Sequence, residues 1–151
     1  MAIPAQLNEI LELFQSAEDP TFRADLLIDF AARFSSADAD LAVRPFLKEQ
    51  QVPGCESEVY IFPKLLPDQT IDFQFAVENP QGVSAKGLAV ILRNSLRHVP
   101  LEEVAALDSE LVYTVFGRGL SMGKGRGLMG MVNMVKSIAR EHLRHAKEME
   151  L

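Results

Sequence analysis

A single cysteine, Cys55, is the whole thiol content of this chain, and that scarcity removes several chemistries at once. Without a second cysteine there is no intramolecular disulfide, so thioredoxin-like redox cycling is excluded. One cysteine and three histidines do not make a structural zinc site of the usual spacing. Long apolar runs are missing too: nothing is long enough to cross a bilayer, and residues 1–10 carry neither a basic n-region nor an apolar h-region. A lone cysteine and no export signal predict a reducing compartment, the cytoplasm. Basic charge is scarce as well. Residues 1–116 hold eight Lys/Arg against eighteen Asp/Glu, whereas residues 117–151 hold seven against three, giving the net −6. An acidic body argues against nucleic acid as a ligand, because phosphate binding needs a concentrated basic surface.

What remains is an ordinary globular composition. With 151 residues, 48% of them hydrophobic and 24% charged, the chain is expected to form one domain, 1–151, around one core. A chain of that length buries roughly two thirds of its unfolded surface, enough to fold without disulfide or metal.

Leu7, Ile10, Leu11 and Phe14 follow the i, i+3, i+4, i+7 rule of an amphipathic helix. Asp19-Pro20 reads as an N-cap with proline at the first helical position, opening a second helix with the stripe Phe22, Leu26, Leu27, Phe30 and Phe34. Residues 35–51 are polar and irregular. Two strands are expected next, Val52–Phe62 and Thr70–Val77, joined by a hairpin loop over 63–69 with a Pro-Asp turn. The second alternates, with Ile71, Phe73, Phe75 and Val77 on one face and Asp72, Gln74 and Ala76 on the other, so the pair should be antiparallel and half-buried. A helix over Ser84–His98, a short one over Pro100–Leu107 and a last one over Gly125–Glu148 follow. Residues 110–116 fit strand or helix. Helices gathered around a small antiparallel sheet define an α+β fold.

Cys55 sits in Val52-Pro53-Gly54-Cys55-Glu56-Ser57-Glu58-Val59-Tyr60. Pro-Gly bends the chain before the thiol and places it on a loop at the entrance to a strand, where reactive side chains often lie. A lone cysteine is also commonly a small buried hydrophobe. The local residues leave both readings open. Glu56 and Glu58 next to the thiol disfavour its ionised form. A cysteine hydrolase would need a nearby base, and His98, His142 and His145 fall at a helix end or on the last helix. Six of nine glycines lie between Gly117 and Gly130. They do not match a P-loop, and the one G-x-G-x-x-G run lacks the following strand of a dinucleotide site, so a mobile loop before a helix is expected. Among Met129, Met131 and Met134, helical spacing predicts Met131 in the core, with the others available as an adaptable docking surface.

The run Val52, Gly54, Cys55, Ser57, Val59, Tyr60 resembles the V-x-G-C-x-S-x-V-aromatic hallmark of the SufE (SufE/CsdE-like) cysteine desulfuration proteins. Lys86-Gly87-Leu88-Ala89 and the Gly127-Leu128 and Met131 pattern match two further blocks of that family in order and spacing, so the resemblance spans roughly residues 7–147. It implies a single SufE-like domain with an α+β fold like that of the IscU scaffold proteins. It implies that Cys55 accepts persulfide sulfur from a cysteine desulfurase (SufS-like or CsdA-like), stimulates it, and relays the sulfur to iron–sulfur cluster assembly. The pyridoxal phosphate would belong to that partner, with no cofactor on this chain, no metal, no nucleic acid and no membrane. The protein itself would be a monomer or weak homodimer. Gly54, Glu56, Ser57, Lys86, Lys124 and Arg126 would support the loop or contact the partner. A non-catalytic adaptor of the same fold and a cysteine-dependent hydrolase are the alternatives. Tyr60, Asn79-Pro80-Gln81 and Lys124 depart from the family pattern, where tryptophan, a serine- and aspartate-containing run and arginine are common; lysine cannot reproduce arginine's bidentate contact.

Overall fold

The computed structural model describes residues 3–55, 57–79 and 82–150. Helix α1 (Ala5–Ser16) buries Leu7, Leu11 and Phe14, as its periodicity requires. Helix α2 (Pro20–Ala32) starts at the expected cap, where the Asp19 carboxylate accepts from the Thr21 N–H at 2.9 Å and Pro20 occupies the first turn. Its stripe is narrower than expected. Phe30 is buried, but Phe22 faces solvent and Phe34 lies past the helix end.

Strands β1 (Val59–Leu65) and β2 (Ile71–Val77) pair antiparallel, from Val59 opposite Val77 to Leu65 opposite Ile71. The expected strand from Val52 is corrected: Pro53 and Gly54 turn the chain, and regular pairing starts only at Val59, while Pro63–Leu65 join the strand instead of the loop. The hairpin therefore closes over 66–70, with the Asp68 carboxylate accepting from both the N–H and hydroxyl of Thr70. The half-buried sheet is corrected too, because Asp72, Gln74 and Ala76 are as buried as the apolar face. The irregular segment after α2 closes over them. Ala37 donates its N–H to the Phe75 carbonyl at 2.9 Å, and Asp38 donates its N–H to the Gln74 side-chain carbonyl at 2.9 Å. Asp72 is answered by Arg93 through two bonds, 3.1 and 3.2 Å, and by the Gln74 amide at 3.0 Å, so the buried carboxylate is fully partnered. Phe46 packs on Tyr60 and Phe62 with centroids 4.9 and 5.1 Å apart.

Helix α3 (Val83–Leu96) lies between the sheet and α2, presenting Leu88, Ile91, Leu92 and Leu96 to the core. Gly87 permits the close crossing with α2: a Cβ there would meet Leu27 Cδ1 at 2.6 Å. Helix α4 (Leu101–Ala105) follows, and residues 111–116 resolve as a short helix, α5 (Leu111–Phe116). The last helix, α6 (Met122–Glu150), begins three residues before the expected Gly125. Ser121 accounts for the early start, since its hydroxyl accepts from the Lys124 N–H at 3.3 Å and its carbonyl from the Gly125 N–H at 2.9 Å. Helices around one two-stranded antiparallel sheet make the described residues an α+β fold, as expected.

Candidate functional site

Cys55 rides on a short loop that leaves the sheet and returns to it. The base is closed where the Val52 N–H donates to the Val59 carbonyl at 2.8 Å and Gln51 bridges Tyr60. Gly54 takes φ +74°, a left-handed conformation that an L side chain resists. The Cys55 carbonyl then accepts from the Glu58 N–H at 3.2 Å. The returning limb is tied to the end of β2, the Ser57 carbonyl accepting from the Asn79 N–H at 3.2 Å and the Glu58 carbonyl from the Glu78 N–H at 3.1 Å.

The floor under the loop is α6. A Cβ added at Gly127 would lie 3.0 Å from Cys55 Cα and 3.2 Å from the Gly54 carbonyl oxygen, and one at Gly130 would lie 2.9 Å from the Pro53 carbonyl oxygen. The glycine-rich segment is thus not a mobile loop throughout: its second half is helix, and two of its glycines bring helix and cysteine loop into backbone contact.

The thiol is half-buried and packs against the hydrophobic core. It lines a cavity of about 80 Å³ together with Ser57, the start of α3 (Gly82, Val83, Ser84, Ala85) and the start of α6 (Gly123, Lys124, Gly127, Leu128). The starts of two helices therefore line the same small cavity as Cys55. Each helix start carries partial positive charge on its first-turn N–H groups, and Lys124 is among the residues that line the cavity. Gly82 gives α3 no side-chain cap, and Ser57 Oγ lies 3.1 Å from where a Gly82 Cβ would be. On its other side, Cys55 borders an open cleft of about 450 Å³ with Lys48, Gln51, Val52, Pro53 and Gly54.

Of the residues expected around Cys55, the structure gathers Gly54, Ser57, Lys124 and Arg126. The Arg126 Cγ and Cδ atoms lie 3.5 Å from where a Gly54 Cβ would be, so its stem lies against the turn while its end is exposed. Lys86 is not among the cavity's lining residues; its amine stands 5.9 Å from the centre of the Phe34 ring. Glu56 lies outside the described residues, as do Pro80 and Gln81. Glu58 is exposed, so what the sequence expects of two acidic neighbours is set against two helix ends and a lysine. None of the histidines lines either cavity at Cys55: His98 pairs with Asp68 at 2.7 Å, His142 Nδ1 lies 3.3 Å from the Ile138 carbonyl oxygen, and His145 pairs with Glu141 at 3.2 Å. Among the described residues, then, the thiol lacks the histidine base that a cysteine hydrolase uses. Among those residues, too, no cluster of ligating side chains is suited to a metal, and no helix is long and apolar enough to cross a membrane.

Met131 is core, whereas Met129 and Met134 are half-buried and line a groove of about 930 Å³ that begins at Pro53 and Gly54 and runs along α6. The sequence reading missed Gly127 and Gly130 as contacts of the cysteine loop. The available signal was their spacing of three on a helix, which puts two side-chain-free positions on one face.

Fold and site together define an α+β protein with one thiol presented on a braced loop between helix ends. Residues 8–139 match the family model described as SufE: Fe-S metabolism associated domain, and the chain belongs to that family. It is 24% identical over 138 residues to SufE-like protein 1, chloroplastic/mitochondrial, of Arabidopsis thaliana, covering 91% of this chain and 35% of that protein. It is 26% identical over 136 residues to the cysteine desulfuration protein SufE of Plasmodium falciparum, covering 87% of this chain and 52% of that protein. The chain thus spans about a third and about half of these relatives. The solution structure of a hypothetical protein from Thermus thermophilus shares the fold with TM-score 0.71 and 21% identity, covering 95% of this chain and 99% of that one.

Proposed function

We propose that this protein acts in iron–sulfur metabolism as a sulfur acceptor: it takes persulfide sulfur from a pyridoxal-phosphate-dependent cysteine desulfurase onto Cys55 and relays it to the cluster-assembly machinery. The family and the names of the relatives support cysteine desulfuration as the setting. The observation that carries the reading is the position of Cys55 on a turn, half-buried, at a cavity bounded by the starts of α3 and α6. In the reaction the Cys55 thiolate attacks the terminal sulfur of the partner's persulfide. A new S–S bond forms on Cys55, the partner's S–S bond breaks, and the partner cysteine leaves as thiolate, so no outside oxidant or reductant is consumed. A second attack, by an acceptor thiolate on the terminal sulfur now on Cys55, delivers it and returns Cys55 as thiolate. With no other cysteine in the chain, the loaded sulfur has no internal thiol to discharge it. Removing persulfide from the desulfurase frees it for another turnover, which makes this protein a stimulator of the partner. The pyridoxal phosphate belongs to the partner in this scheme.

The test is the desulfurase rate with wild-type protein and with Cys55→Ala. Loss of stimulation in the variant, with binding to the desulfurase retained, is the expected result. Full stimulation by Cys55→Ala would assign the protein to the adaptor role instead.

A further inference from the structure

We propose that Gly127 and Gly130 of α6 are positioning residues that set the depth of the Cys55 sulfur. Both face the cysteine loop, and the atoms a Cβ would meet are mostly backbone: Cys55 Cα at 3.0 Å and the Gly54 oxygen at 3.2 Å from position 127, the Pro53 oxygen at 2.9 Å from position 130. A side chain can rotate away from such a contact; a backbone can only be displaced. Gly54 is held at φ +74°, and the loop's base and far limb are anchored by the Val52–Val59 and Asn79–Ser57 hydrogen bonds, so the displacement falls on Pro53, Gly54 and Cys55 between those anchors. Relief lies away from α6, which draws the sulfur out of the 80 Å³ cavity it shares with the starts of α3 and α6. Helix propensity disfavours glycine at both positions, so their presence inside a helix is itself accounted for by the close approach. Gly125 separates the two effects: it is also helical, but a Cβ there meets nothing nearer than Tyr113 Oη at 3.8 Å.

The consequence for sulfur transfer rests on the proposed role of Cys55, but the positioning itself does not. Alkylation of the Cys55 thiol by iodoacetamide, which needs no desulfurase, is measured for the wild type and for Gly125→Ala, Gly127→Ala and Gly130→Ala. Amide exchange is followed in the same samples. Gly127→Ala and Gly130→Ala are expected to alkylate several-fold faster, with faster exchange at Gly54 and Cys55 and unchanged protection at Phe73 and Phe75 of β2, while Gly125→Ala behaves as wild type. A wild-type alkylation rate in both loop-facing variants overturns the inference and leaves the sulfur-acceptor reading standing. So does acceleration accompanied by lost protection at β2, which marks general unfolding. Conversely, the expected alkylation pattern with no persulfide formed in a desulfurase assay sinks the acceptor reading alone.

Discussion

Glu56 and Glu58, the acidic neighbours of Cys55 in the chain, disfavour a thiolate, whereas the fold places the starts of α3 and α6, with Lys124, along the cavity that Cys55 lines. Lys124 is exposed, so its share is modest and screened by salt. Replacing it reverses one charge at the rim without disturbing the core. Lys124→Glu is expected to slow Cys55 alkylation at neutral pH by about threefold, the size of an exposed charge interaction. The effect should shrink in high salt. An unchanged rate at low ionic strength would remove Lys124 from the site. Arginine would add a fork-shaped donor that lysine lacks, so Lys124→Arg tests whether a point charge is all that the cavity uses.

Among the elements, α6 shows where sequence patterning reads well and where it fails. Leu128, Met131, Val132 and Val135 are buried as their spacing demands, yet the helix begins at Met122, not Gly125. Low helix propensity of glycine suggests a loop, and the tertiary contact with residues 52–55 overrides it. The Ser121 cap was visible in the chain but hidden by the glycines around it. For β1 the reason is local: Val52 looks like strand and its N–H does bond the Val59 carbonyl, but the Pro53-Gly54 turn diverts the chain before the ladder begins. The polar face of β2 could not be read as buried, because what covers it comes from Asp38, 36 residues before its partner Gln74, and from Arg93 on a later helix, and alternation carries no such long-range information. The thiol, its turn and its strand entrance were legible; the partnership of that turn with α6 was not. Amide exchange checks the revised boundary. Arg118–Leu120 should exchange fast, while Gly125, Arg126 and Gly127, inside the helix, should be protected. Uniform fast exchange across 117–127 would restore a mobile loop.

Across the whole molecule, the turn of the hairpin is joined to the segment just after α3 by the Asp68–His98 contact, in addition to the Asp72–Arg93 pair. The Asp68 carboxyl is lowered to about 2, first by the Thr70 hydroxyl and then by His98, which lies 30 residues further along the chain. A carboxylate depressed in the folded state stabilises the fold above its ordinary value of 3.8, and that contribution is lost as pH falls through about 2. Wild-type thermal stability is therefore expected to drop between about pH 4 and pH 2 more steeply than that of Asp68→Asn, which has no such charge to titrate. Parallel acid limbs would show that the contact contributes nothing in solution. Charge is also divided along the chain, with a net negative body and a net positive segment from Gly117 onward that includes Lys124 and Arg126 beside the cysteine loop. The basic segment thus borders the cysteine loop.

The central claim, that sulfur passes onto Cys55, is tested most directly by mass spectrometry after incubation with a cysteine desulfurase and cysteine. Cys55→Ser serves as the reference, since a small polar replacement on a half-buried turn should cost no more than about 1 kcal/mol and leave the protein folded. The account predicts the added mass of one sulfur atom on the wild type, mapped to the peptide containing Cys55. That mass should be absent from Cys55→Ser and absent when the desulfurase lacks its own nucleophilic cysteine. An unmodified Cys55 after many desulfurase turnovers, in a protein that binds the enzyme, would contradict it.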